Sequence, residues 1–117
     1  MKKVLIVDDS AFMRLSLKTL LESNDFQVVG EAENGRIGVE KFKELNPDIV
    51  TLDITMPEMD GLTALNEIIQ FDKNAKVVIV SAMGQEANVR QAVLSGAKNF
   101  IVKPFVSDHV LKVLSKL

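Results

Sequence analysis

Three aspartates in two places are the residues of this sequence whose types and spacing point most directly to chemistry. Asp8 and Asp9 follow the apolar run 4–7, and Asp53 follows a second, largely apolar run, 49–52. Each run has the length and β-branched composition of a strand buried on both faces of a parallel sheet. Parallel strands end at one shared edge of their sheet, so the three carboxylates are expected to converge there.

Converging carboxylates repel one another unless a cation compensates their charge. Two unit charges ~4 Å apart repel by about 4 kcal/mol at an effective dielectric constant of ~20. Clusters of carboxylate oxygens favour hard divalent cations. We therefore predict a Mg²⁺ site held by Asp9 and Asp53, with Asp8 acting directly or through water.

Two further polar residues follow predicted strands. Ser81 closes the run 77–80, and Lys103 follows the run 99–102. Carboxylates, a hydroxyl and an ammonium at strand exits suit phosphoryl transfer, in which a protein contributes mainly positioning and charge neutralisation. Asp53 is the predicted nucleophile, forming an aspartyl phosphate. The cation and Lys103 would flank the phosphoryl oxygens, and Ser81 would donate a hydrogen bond to a third oxygen.

Each of these residues alone also has a plainer interpretation. Acidic residues after strands commonly form solvated turns, a serine commonly caps a turn or helix, and a lone lysine is usually a surface residue. Their joint occurrence at strand exits favours the functional interpretation. Pro104 adds support for Lys103, because X-Pro bonds adopt cis comparatively readily and a fixed turn would aim the lysine inward. His109 is interpreted as a surface or boundary residue.

Strands and helices alternate along the whole chain. The strands are predicted at about 3–7, 28–32, 49–53, 77–80 and 99–102. The segments between them carry apolar residues at helical spacing, most weakly at 85–95. Short loops between such elements imply right-handed crossovers and a parallel sheet covered on both faces. Two strand orders are common for these sheets, and the pattern alone does not choose between them.

Three details of these elements can be checked individually. Pro57, Asp60 and Gly61 predict a loop between the third strand and the third helix. Val93 is expected to face inward from the fourth helix. Val106 is expected to join the apolar stripe of the fifth helix.

Composition limits the class of protein. The 117 residues predict a single domain, 1–117, and a net charge of −2 without a basic block does not indicate nucleic acid as a partner. The lack of cysteine excludes disulfides and thiolate metal sites. The first apolar stretch is too short for a signal-peptide core or a membrane span. A cytoplasmic protein with no membrane partner is therefore expected.

Four separated segments resemble the receiver domain of two-component response regulators. They are VLIVDDS (4–10), DIVTLDITMPEMDG (48–61), SAMG (81–84) and GAKNFIVKPF (96–105). The resemblance spans essentially the whole chain and narrows to the free-standing receivers that serve chemotaxis. It implies an α/β, doubly wound, flavodoxin-like three-layer sandwich, with five parallel strands in the order 2-1-3-4-5 and five helices.

The resemblance also implies roles for individual residues. Asp53 would accept a phosphoryl group from a histidine kinase. Mg²⁺ would be held by Asp8, Asp9, Asp53 and the backbone carbonyl of Thr55. Ser81 and Lys103 would bind the phosphoryl oxygens, and the bond between Lys103 and Pro104 would be cis.

The switch of the family maps onto Ser81 and Phe100. Phosphoryl binding draws the hydroxyl of the fourth strand inward, and an aromatic residue of the fifth strand turns into the vacated space. Phe100 lacks the hydroxyl of the tyrosine that many relatives carry, so its ring is easier to bury. A plain core aromatic is the simpler interpretation of Phe100. Thr55 and Met83 would flank the line of water attack and tune the phosphoryl lifetime.

The predicted function is a phosphorylation-activated switch rather than an enzyme acting on other substrates. Such a protein catalyses only its own phosphorylation and slow dephosphorylation. The expected partners are the histidine kinase, a phosphatase, and a target such as the flagellar motor switch. The target would bind the face formed by the fourth helix, the fifth strand and the fifth helix. A monomer is expected.

Other functions are less well supported by the sequence. Two alternatives stay open: the receiver of a DNA-binding regulator, and a phosphorelay intermediate. The lack of a basic tail after Leu117 weighs against the first alternative. The start at Met1 and the end at the fifth helix favour a complete protein. Phosphohydrolases that resemble haloacid dehalogenases place an acid where Thr55 stands. A Rossmann-like nucleotide module needs a glycine-rich turn where Asp8 and Asp9 stand, and these acids would repel a pyrophosphate.

Overall fold

The computed structural model describes residues 1–56 and 58–117, and strands and helices alternate along them. Pro57, part of the predicted loop before the third helix, lies outside the described residues. The elements are β1 (Lys2–Val7), α1 (Ala11–Glu22), β2 (Phe26–Ala32), α2 (Gly35–Leu45), β3 (Ile49–Asp53), α3 (Gly61–Phe71), β4 (Val77–Ala82), α4 (Glu86–Leu94), β5 (Asn99–Lys103) and α5 (Ser107–Ser115).

The strands form a parallel sheet in the order β2-β1-β3-β4-β5. The predicted doubly wound fold is therefore confirmed, together with the strand order that the family resemblance implies. The chain changes direction across the sheet between β1 and β3, where Val7 pairs with Leu52. Ligands bind at such a switch point, outside the carboxyl ends of the strands. Asp8 and Asp53 follow these two paired residues directly.

Apolar side chains pack on both faces of the sheet. Leu5 packs with residues of α2 and α3, whereas its neighbour Ile6 packs with residues of α1 and α5. Both are fully buried, because successive strand side chains point to opposite faces. Burying each such side chain contributes about 1.5–3 kcal/mol. Double-sided burial explains why the strand runs are continuously apolar rather than alternating.

The first three helices begin with side-chain caps that hold the loops at the sheet edge. Ser10 Oγ accepts a hydrogen bond from the N–H of Met13 at 3.2 Å. Asn34 caps α2 and Asp60 caps α3 in the same way. Within the described chain, α4 begins without a side-chain cap, and Ala92 is its buried residue. Of these helices, α4 is therefore the least firmly held.

Several element predictions need correction. Val93 is 45% exposed rather than inward, because α4 packs on the sheet mainly through Ala92. Val106 is 66% exposed, since it adopts an extended conformation before the first turn of α5 and falls outside the helical spacing. β2 begins at Phe26 rather than at residue 28, because the Phe26 ring joins the core beside α1. None of the described helices is long and apolar enough to cross a membrane.

Candidate functional site

The strand exits bring the predicted carboxylates together at one edge of the sheet. Asp8 and Asp9 follow β1, and Asp53 is the last residue of β3. Each contributes a carboxylate oxygen to a cluster whose atoms all lie within 4.8 Å of one another. Asp8 and Asp53 are buried, whereas Asp9 is exposed. The cluster therefore has a closed inner side and one side that opens to solvent.

Asp8 is held in place from several directions. Its N–H donates to the carbonyl of Ala32 at 3.0 Å, and its Oδ1 accepts from the N–H of Ser10 at 2.8 Å. Its backbone carbonyl accepts from Arg14 Nη1 at 2.6 Å. Sequence reasoning missed Arg14, and its position in the first turn of the helix after the acidic pair was the one available signal. Arg14 also pairs with Glu31 at 3.3 Å, which ties α1 to β2.

Lys103 forms ion pairs with both buried carboxylates. Its ammonium is 3.3 Å from Asp53 Oδ2, to which it donates a hydrogen bond. It is also 3.1 Å from Asp8 Oδ2, but this contact is an ion pair that is not aligned as a hydrogen bond, so Asp8 Oδ2 has no hydrogen-bond partner among the described residues. The bond between Lys103 and Pro104 is cis.

The electrostatics of this cluster raise the pKa values of both Lys103 and Asp53. Burial raises the pKa of Asp53, and the neighbouring charge of Asp8 raises it further, against the opposing influence of Lys103 and the Thr55 N–H. Burial alone would lower the pKa of Lys103, but its contacts with Asp8 and Asp53 outweigh this and raise it. Lys103 therefore remains a cation at neutral pH, and the folded state holds the proton of Asp53 more tightly than an exposed aspartate would.

The raised pKa of Asp53 predicts how stability depends on pH without divalent ions. The folded state binds the Asp53 proton more tightly than the unfolded chain does. The contribution of Asp53 to the free energy of unfolding should therefore be fully present below the unfolded pKa and be lost as pH rises through the folded one. Urea unfolding followed by circular dichroism in chelator should show that Asp53→Asn gains stability over the wild type across this window. A difference that does not change with pH would contradict the prediction.

Ser81 carries a buried hydroxyl at the site. It is in β4 and is almost fully buried, and its Oγ has no hydrogen-bond partner among the described residues. Such an unpaired buried polar group costs about 1–3 kcal/mol. The plainer interpretation of Ser81 as a helix cap does not fit, since the residue that precedes α4 is Gln85. The hydroxyl is instead free to donate to a ligand at the sheet edge.

The loop after β3 places Thr55 at the rim of the cluster. Thr55 is exposed, and its N–H donates to Asp53 Oδ1 at 3.3 Å. This loop is fastened by the N–H of Gly61, which donates to the carbonyl of Ile54 at 2.8 Å. A Cβ at Gly61 would lie 2.2 Å from the Asp53 carbonyl oxygen. Only glycine fits there, so Gly61 sets how closely α3 approaches the end of β3.

Met83 and Gln85 lie in the loop between β4 and α4. Met83 is 78% exposed. The Gln85 side chain reaches across to the loop after β3, where its Nε2 donates to Thr55 Oγ1 at 2.9 Å. Its Oε1 accepts from the N–H of Ala82 at 2.7 Å. Sequence reasoning assigned no function to Gln85. The only signal in the sequence was weak: a polar residue directly after Gly84.

Phe100 is a surface residue rather than the plain core aromatic of the simpler interpretation. It is 41% exposed. It lines a cavity of about 400 Å³ between α4 and β5 that extends to Ser81 and Met83. The Phe100 ring and the Ser81 hydroxyl therefore border the same space.

The donor set of the cluster fits a hard divalent cation. Carboxylate oxygens from Asp8, Asp9 and Asp53 lie close enough to bind one ion, and Mg²⁺ prefers oxygen ligands while keeping several waters. Asp8 Oδ2 lacks a hydrogen-bond partner among the described residues, and Asp9 is open to solvent. The residues present thus meet the requirements of a partly hydrated Mg²⁺ ion.

Comparison with protein families adds an independent finding. The model of the response regulator receiver domain matches residues 4–115. The chain belongs to the response regulator receiver family. This receiver domain is 57% identical over 116 residues to the chemotaxis protein CheY of Thermotoga maritima, covering 99% of this chain and 97% of the relative. It is 58% identical over 114 residues to the chemotaxis protein CheY of Bacillus subtilis, covering 97% and 95%.

A solved structure shows the same fold. The receiver domain matches CheY in the CheX–CheY–BeF3–Mg²⁺ complex from Borrelia burgdorferi with a TM-score of 0.93 and 46% identity. The match covers 98% of this chain and 87% of that one. Likeness to free-standing chemotaxis regulators over nearly the whole length supports a CheY-like chemotaxis response regulator. The DNA-binding and phosphorelay alternatives are not favoured.

Proposed function

We propose that this receiver domain accepts a phosphoryl group on Asp53 from the phosphohistidine of a kinase, in a Mg²⁺-dependent reaction. The observation that carries the proposal is the setting of Asp53: a buried carboxylate contacted by a cation, Lys103, and placed beside a second buried carboxylate, Asp8. In the transfer, a bond forms between a carboxylate oxygen and phosphorus. The phosphorus–nitrogen bond of the donor breaks, and its electron pair returns to the imidazole.

The protein's own residues would position the group and neutralise its charge. Asp8, Asp9, Asp53 and the Thr55 carbonyl would hold Mg²⁺, which when bound neutralises charge on the phosphoryl oxygens. Lys103 remains protonated and lies 3.3 Å from Asp53 Oδ2, within reach of an oxygen on the new group. The Ser81 hydroxyl would donate to another of its oxygens.

Self-catalysed hydrolysis would return the switch to its resting state. Thr55 and Met83 are both exposed. They would flank the path by which a water molecule attacks the phosphoryl group on Asp53. We propose that they tune the phosphoryl lifetime and that the protein acts on no substrate besides its own phosphoryl group.

The output would be a change on the face formed by α4, β5 and α5. A Ser81 hydroxyl drawn toward the phosphoryl group would leave room in the adjoining cavity for the Phe100 ring, which lines that cavity. We propose that a target such as the flagellar motor switch binds this face differently in the two states. The related CheY of B. burgdorferi forms a complex with CheX, which supports a protein partner for this receiver domain as well. A phosphatase is also proposed as a partner. Cytoplasmic location and a monomeric state stay predictions.

The experiment that tests this function is incubation with a small phosphodonor such as acetyl phosphate. With Mg²⁺, intact mass should show one added phosphoryl group, and peptide mapping after reductive trapping should place it on Asp53. Excess chelator should abolish the addition, because the carboxylates then have no divalent ion. Modification at another residue, or equal modification in chelator, would overturn the proposal.

A further inference from the structure

Gln85 connects the end of β4 to the loop after β3, which contacts the Asp53 carboxylate. Its Oε1 accepts a hydrogen bond from the N–H of Ala82 at 2.7 Å, and its Nε2 donates to Thr55 Oγ1 at 2.9 Å. The N–H of Thr55 in turn donates to Asp53 Oδ1 at 3.3 Å. One side chain therefore spans the gap between the exit of β4 and the loop after β3.

The Ala82 N–H lies at the end of the backbone hydrogen bonds between β3 and β4, where the acceptor expected on β3 is already used. Val80 offers its carbonyl to the N–H of Ile54, and residues two apart along a strand direct their backbone groups to the same side. Ala82 therefore also faces β3. The acceptor that continues the ladder, the Ile54 carbonyl, is taken by the N–H of Gly61 at 2.8 Å. The Ala82 N–H therefore donates to the Gln85 side chain instead of to β3.

A phosphoryl group on Asp53 would bring new acceptor oxygens to this gap. Ser81, the residue before Ala82, has a buried hydroxyl without a hydrogen-bond partner among the described residues. The adjacent N–H of Ala82 is already engaged by Gln85. We propose that the Gln85 side chain occupies this donor in the resting protein and must leave it when a phosphoryl oxygen arrives. Gln85 is then a positioning residue that competes with the ligand, and this inference rests on the proposed function.

Displacing Gln85 would also loosen the start of α4. Gln85 directly precedes the helix and makes no side-chain capping bond among the described residues, and its contacts with Ala82 and Thr55 tie this end of α4 to the site. The helix is otherwise lightly held, with Ala92 as its buried residue in the described chain. Its first turn borders the cavity beside Phe100. Release of Gln85 therefore links occupancy at Asp53 to the mobility of α4.

Binding of beryllium fluoride, which mimics a phosphoryl group on a carboxylate, tests the proposal. In Gln85→Ala the Ala82 N–H has no competing acceptor, so beryllium fluoride should bind about 2- to 10-fold more tightly in saturating Mg²⁺, as expected for one hydrogen bond. The affinity for Mg²⁺ alone should not change. Both affinities are measured by calorimetry, with ¹⁹F NMR as a second readout, because the chain has neither tryptophan nor tyrosine.

Gln91→Ala is the matched control, since Gln91 is an exposed glutamine of the same helix. It should leave both affinities unchanged. The Ala82 amide resonance should shift in Gln85→Ala but not in the control, and the remaining spectrum shows that the variant is folded. Unchanged or weaker beryllium fluoride binding in Gln85→Ala, or a parallel gain in Mg²⁺ affinity, would overturn the inference. Failure of the wild type to bind beryllium fluoride would instead contradict the proposed function.

Discussion

Asp53→Asn is expected to abolish phosphoryl incorporation from a small phosphodonor. Asparagine has nearly the shape of aspartate, but its neutral amide does not supply the anionic oxygen that attacks phosphorus. Loss of a nucleophile commonly costs several orders of magnitude, so we expect incorporation to fall by at least about 100-fold. Intact mass after incubation with acetyl phosphate and Mg²⁺ measures the added group. The circular dichroism of the variant should match that of the wild type.

Asp25→Asn is the matched control for this experiment. Asp25 is an exposed aspartate that directly precedes β2, at the opposite edge of the sheet from the strand exits. Its φ of 68° is one that asparagine tolerates well. The control should incorporate the phosphoryl group like the wild type. Incorporation by Asp53→Asn at the wild-type rate would show that another residue is the acceptor.

Mg²⁺ is expected to raise the melting temperature, and Asp9→Asn is expected to remove most of this response. The ion would relieve the repulsion among Asp8, Asp9 and Asp53, which lie within 4.8 Å of one another through their carboxylate oxygens. At ten times its dissociation constant, an ion that binds only the folded state stabilises by about 1.4 kcal/mol. For a domain of this size that corresponds to a rise of roughly 3–7 °C.

The thermal experiment is read by circular dichroism in chelated buffer with and without added Mg²⁺. Asp25→Asn is again the control and should respond like the wild type. Na⁺ at equal ionic strength separates binding from general screening, which affects exposed charges everywhere. The metal site as described would be wrong if Mg²⁺ left the wild-type melting temperature unchanged, or if Asp9→Asn responded fully.

The meeting of the acidic residues at one edge of the sheet could be predicted from the sequence, for a physical reason. Strand exits in a parallel sheet share an edge, so a carboxylate directly after a buried run is placed by topology rather than by its own contacts. Asp8, Asp53 and Lys103 were located in this way, and the structure brings them together. Their catalytic and binding roles stay predictions until the phosphorylation and thermal experiments are done.

Predictions that depended on the packing of a single helix were less secure. Val93 and Val106 have the side chains of core residues, yet both are exposed. An apolar stripe predicts burial only where the helix start and its rotation about the axis are already known. In α4 the stripe is weak, and α5 begins one residue after Val106. Local sequence does not supply either quantity, because both follow from how the helix packs on the sheet.

By itself, the sequence determined the alternation of buried strands and amphipathic helices, and with it the edge at which the acidic residues meet. Periodicity and burial act over a few neighbouring residues, which is why these features can be predicted locally. Tertiary structure alone decided that Arg14 holds the Asp8 carbonyl, that Phe100 lies at the surface, and that Gln85 bridges Ala82 and Thr55. These contacts join residues from different loops and helices, so they depend on distances that exist only once the sheet has formed.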